Sequence, residues 1–168
     1  MSAFRKLSSL PAPVRWAAPP VALLGGVALL LGAWSVPGDV APPQPKAAEA
    51  GYCEALDKAL PDAVLGHRRT DPSPASPYTA AWGSSPRTVL RCGIARPGYL
   101  DDDPFSRAPE VNDVQWGMSS DGAGGYRFVT TLRKAYVEVT VPKGAYPNYA
   151  DPLSELTDAI KATIPTGL

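Results

Sequence analysis

The chain has 168 residues, with 16 Lys+Arg against 16 Asp+Glu; from Gly51 onward 12 basic residues face 14 acidic ones. The basic residues are scattered, so the chain lacks the electrostatic footprint of a nucleic-acid binder, and its single histidine rules out a multi-histidine metal site. The 20 prolines and 15 glycines concentrate in the N-terminal part and a few interior loops, so they punctuate a folding chain that has room for one modest core.

Arg5, Lys6 and Arg15 precede an uncharged stretch from Trp16 to Val36, and the first acid is Asp39. As a helix that stretch would be about 31 Å long, close to the hydrocarbon thickness of a bilayer. The positive-inside bias then makes residues 1–15 a cytoplasmic basic tail and 16–36 a transmembrane signal anchor, with everything beyond outside the membrane. Trp16 and Trp34 stand where indole rings favour the interface. A cleaved secretory signal is the alternative, with Ala33-Trp34-Ser35 as a passable site, and would leave the protein secreted. Residues 37–50, PGDVAPPQPKAAEA, read as an extended proline-rich linker. Residues 51–168 then form the extracytoplasmic domain.

The domain opens with a helix over Tyr52 to Leu60, where Cys53, Leu56 and Leu60 recur at helical spacing before Pro61. A short Val64-Leu65 segment and the loop TDPSPASP lead to extended runs at Ala80–Gly83 and Thr88–Arg96. In the second run Leu90, Cys92 and Ile94 share the inward face. After an irregular stretch from Pro97 to Pro109 comes Val111 to Met118, with Val114, Trp116 and Met118 on one side. SSDGAGG is a hairpin loop. Tyr126 to Leu132 places Tyr126, Phe128 and Leu132 together, and a reversal near Arg133-Lys134 leads to Ala135, Val137, Val139 and Val141 in strict alternation. Asp151-Pro152 signals a last helix, Asp151 as N-cap, with Leu153, Leu156, Ile160 and Ile164 on one stripe.

Helix, strands, helix predicts an α+β domain: an antiparallel sheet with two helices packed on one face, preceded by one N-terminal transmembrane helix. Cys53 and Cys92 are both inward-facing in this reading and on the oxidising side of a membrane, so they are expected to form one disulfide. A reactive thiol is the competing reading, but neither cysteine lies in a C-x-x-C motif.

Tyr52-Cys53-Glu54-Ala55-Leu56, Ala81-Trp82-Gly83 followed by Val89-Leu90-Arg91-Cys92-Gly93, Val111 to Trp116 and Tyr136 to Pro142, in that order, resemble an actinobacterial envelope family, domain of unknown function family 3515. The resemblance covers nearly all of the chain after the linker. It implies a membrane-anchored, extracytoplasmic protein with a paired cysteine, and brings no reaction, ligand or catalytic residues.

No G-x-S-x-G elbow accompanies His67, which in His67-Arg68-Arg69 reads as an exposed strand or loop residue. Asp101, Asp102 and Asp103, with Asp113, offer oxygens of the kind calcium takes, but their spacing fits no standard calcium loop, and a solvated acidic loop is the simpler reading. Trp82, Trp116 and Tyr99, with Tyr78, Tyr146 and Tyr149, are candidate ligand-facing aromatics, set against ordinary core duty. No catalytic residue, metal ligand or cofactor is nominated. The expected function is a module at the membrane that binds an envelope protein or a cell-wall component, with no nucleic acid as partner. The alternative is a small carboxylate-dependent envelope hydrolase, which needs two acids converging in a pocket.

Overall fold

A computed structural model describes residues 40–102 and 110–167. The expected tail, the membrane helix over 16–36, the start of the linker and Asp103 lie outside the described residues. No helix among the described residues is long and apolar enough to cross a membrane.

The first helix, α1 (Ala47–Ala59), begins five residues before the expected start. Ala47, Ala48 and Ala50 are strong helix formers that carry no apolar stripe, so periodicity alone passes over them. The Glu49 carboxylate accepts the Lys46 N–H at 3.1 Å, tying down the first turn. The preceding residues pack on the domain instead of forming a free tether. Val40 N–H donates to Ser73 O at 3.0 Å, Pro43 is buried, and Pro45 lies against Gly93. The linker expected over 37–50 therefore gives up its second half to the folded unit.

A two-residue hairpin follows, β1 (Ala63–Val64) with β2 (His67–Arg68), turned by Leu65 and Gly66 at φ of 48° and 84°. Two positive φ values suit the right-handed twist of such a hairpin, although leucine is an unusual choice there. The main sheet comprises β3 (Thr79–Trp82), β4 (Thr88–Cys92), β5 (Trp116–Ser120), β6 (Tyr126–Thr130) and β7 (Val137–Val141). Its order is β3-β4-β7-β6-β5 and every pairing is antiparallel. A one-turn helix, α2 (Tyr99–Asp102), follows β4, and α3 (Asp151–Thr163) closes the domain.

Paired residues of an antiparallel sheet share a face, so the register sorts the side chains. Ala80, Leu90, Val139, Phe128 and Met118 run across one face. They join Cys53, Leu56 and Leu60 of the first helical stripe, and Leu153, Leu156, Ile160 and Ile164 of the last, in a single core. The helices α1 and α3 also contact each other. This is an α+β fold with an antiparallel sheet.

Three local expectations change. Strand β6 stops at Thr130, and Leu132 is exposed at φ 57°, because the chain leaves the sheet there: Thr131 N–H donates to Gln115 O and Lys134 N–H to Pro165 O. The reversal at Arg133-Lys134 is thus a wider loop held by the C-terminal segment, with Arg133 bridged to Thr166. Asp151 is the first residue of α3, with Ala150 as N-cap, and its carboxylate accepts the Asn148 N–H at 3.1 Å. Finally, β5 begins only at Trp116, because Val111 and Val114 bridge each other around Asn112 and Asp113 at positive φ.

Candidate functional site

At the end of the sheet where β3 turns into β4, three segments distant in sequence enclose a cleft of about 210 Å³. Its floor is the β3–β4 connection. Trp82 ends β3 with its indole N–H donating to Pro61 O at 3.0 Å, and Gly83 turns the chain at φ 88°. Gly83 N–H donates to Arg68 O at 3.0 Å and Thr70 N–H to Ala81 O at 2.7 Å, which fastens the β1–β2 hairpin beside β3. His67 therefore lies over Gly83, so closely that a β-carbon there would stand 3.1 Å from its Nδ1.

The facing wall follows β7. Pro142 O accepts the Ala145 N–H at 3.2 Å, and the turn places Lys143 and Tyr146 on the cleft. Tyr146 meets His67 edge to face, with ring centroids 5.0 Å apart. Burial raises the Tyr146 phenol above its ordinary pKa, partly opposed by the neighbouring Thr88 hydroxyl. Thr88, at the start of β4, is buried with its hydroxyl beside that of Tyr146. Among the described residues no carboxylate lines the cleft.

The opposite, more polar face of the sheet carries the row Thr79, Arg91 and Glu138, continued by Val129 and Gly117. Glu138 is the buried carboxylate among the described residues, at 7% exposure. Arg91 Nη1 stands 3.3 Å from one of its oxygens and Arg127 Nε 3.5 Å from the other. Tyr99 of α2 adds a phenol whose pKa is raised chiefly by burial and further by Glu138, against opposing effects of Ser119 and Arg127. Two guanidinium groups thus flank one carboxylate on this face.

Cys53 and Cys92 are joined in a disulfide with Cα atoms 5.5 Å apart, which links α1 to β4 inside the core. The aromatics singled out from the sequence are dispersed. Trp82 and Trp116 are each 1% exposed and belong to β3 and β5, the two edges of the sheet. Tyr99 is on the polar face. Of that group Trp82 and Tyr146 reach the cleft, while Tyr149 joins Tyr126 and Phe128 and Tyr78 approaches Glu54. Asp101 pairs with Arg96 and Asp113 with Lys161, each at 2.7 Å, so these acids do not gather. Among the described residues no cluster of three or more His, Cys, Asp or Glu side chains could hold a metal. Thr88 and Lys143 carry no mark in the sequence, where a strand threonine and a turn lysine are commonplace; the lone histidine, Trp82 and Tyr146 are the local signals.

A family model, protein of unknown function (DUF3515), matches residues 17–168. The chain belongs to the DUF3515 family. No match to the DUF3515 chain is found among curated proteins or among solved structures.

Proposed function

We propose that this DUF3515 protein is a binding module of the actinobacterial cell envelope, anchored in the cell membrane by residues 16–36 and receiving an envelope component in the cleft between His67 and Tyr146. The cleft carries the reading: it is a concave site lined by residues of three segments distant in sequence, His67, Thr88 and Tyr146 among them, and no acid lines it among the described residues. The buried Cys53–Cys92 bond supports an oxidising, extracytoplasmic setting, and the uncharged stretch after Arg15 supports the anchor.

In-cell photocrosslinking tests this on the full-length chain, with a photoreactive residue at Ala145 on the cleft wall and, as a control, at Glu155 on the exposed side of α3. Capture of one envelope component from position 145 and not from 155 is the expected result. Equal capture from both positions, or none from 145, would remove the cleft as a binding site.

A further inference from the structure

The place where the chain enters the folded domain determines which end of that domain meets the lipid, an inference that rests on residues 16–36 being the anchor proposed above. Residues 40–46 belong to the fold: Val40 N–H donates to Ser73 O at 3.0 Å, Pro43 is buried and Pro45 lies against Gly93. Only Pro37, Gly38 and Asp39 then separate Val40 from Val36, the last residue of the uncharged stretch. Fully extended, the steps from Val36 to Val40 reach about 14 Å. The headgroup layer on one side of a bilayer takes up about 5–7 Å of that. The domain cannot stand clear of the surface by more than the remaining few ångströms.

Ser73 and Gly93 mark one end of the sheet, because Ser73 lies in the loop that leads into β3 and Gly93 directly follows β4. The cleft lies at the other end, where β3 turns into β4 through Gly83 and Ser84. The rise of β3 alone, Thr79 to Trp82, sets these ends about 10 Å apart. The entry end presents an uncharged surface: Ala41, Ser73, Pro74, Ala75 and Pro77 are exposed, and neither 40–45 nor 72–86 contains a charged residue. These segments meet no Coulomb repulsion from anionic headgroups and bring no charge to be desolvated against lipid.

We propose that the surface formed by residues 40–42 and 73–77 rests on the lipid headgroups, which turns the cleft away from the bilayer. The occupant of the cleft is then an envelope component that lies beyond the membrane surface, and not a lipid headgroup.

The test is resonance energy transfer on the full-length chain in nanodiscs of phosphatidylglycerol and phosphatidylethanolamine with an acceptor dye on a fraction of the headgroups. A donor dye is attached through Ala75→Cys at the entry end or Ser84→Cys at the cleft, both exposed positions, with the native disulfide left oxidised. Transfer from position 75 should exceed that from position 84 by about twofold or more, given ends separated by about 10 Å at the least. Equal transfer from the two positions, or more from 84, overturns the inference and leaves the anchor standing. Capture of a lipid by the photoreactive residue at position 145 overturns it as well. Protein that fails to copurify with the discs removes the anchor itself, and the inference with it.

Discussion

Gly93 shows how tightly single positions are specified. Its φ is 81°, and a β-carbon would collide with the Pro45 ring. Gly93→Ala combines left-handed strain with displacement of that proline, and should cost about 1–3 kcal/mol, read as a lower urea midpoint without a change of slope. The exposed acids act more gently. Asp101 and Asp113 are both held below the ordinary carboxylate range, first by hydrogen bonds from Arg96 and Lys161 respectively. A lowered folded-state pKa makes the unfolded chain bind protons first, so this stability is present above the usual carboxylate pKa of about 4 and is lost as pH falls through the lower folded value. Urea midpoints followed down into acid should fall less steeply in Asp113→Asn than in the native chain; parallel curves would show that the Lys161 pair contributes nothing. At this scale the cysteine pair was legible because both residues lie on the buried side of a periodic element. The cleft was not. Thr88 and Lys143 sit in unremarkable local sequence, and only the register of β4 and the docking of the β1–β2 hairpin bring them together with His67.

Among the elements, α3 is the main lever on the core. Leu153, Leu156 and Ile160 are all buried against the sheet. Leu156→Ala should cost about 2–5 kcal/mol, the range for emptying a buried leucine site, and the loss should appear in chemical denaturation; a cost below about 1 kcal/mol would mean that the helix packs loosely. The same stripe made α3 legible from sequence, as strict alternation did for β7. Where the sequence misled, a different force dominated. Propensity without amphipathicity extended α1 back to Ala47. Tertiary hydrogen bonds from the C-terminal segment drew Leu132 out of β6. Glu138 alternates as an outward residue yet is buried, because that face of the sheet is covered too and two arginines offset its charge.

Across the whole domain, the Cys53–Cys92 bond closes a separation of 39 residues between a helix and a central strand. In the chain-entropy picture a loop of that size stabilises by roughly 4 kcal/mol, a large share of what a domain of this size possesses. The Cys53→Ser, Cys92→Ser double variant should therefore lose about 2–4 kcal/mol, and reductant should lower the native protein's urea midpoint while leaving the variant's unchanged. Equal response of both to reductant would show that the bond does not form. Fold class was legible at this scale from the order of elements alone. The cleft's position required the strand order, which brings the β3–β4 turn and the segment after β7 to the same end.

The docking of residues 40–46 bears on where the chain can be cut. With Pro43 buried, Val40 bonded to Ser73 and Pro45 seated on Gly93, this segment is the outermost layer of the fold. A truncation starting at Gly51 would strip the first turn of α1, uncover Gly93 and leave the disulfide to hold a frayed helix against the sheet.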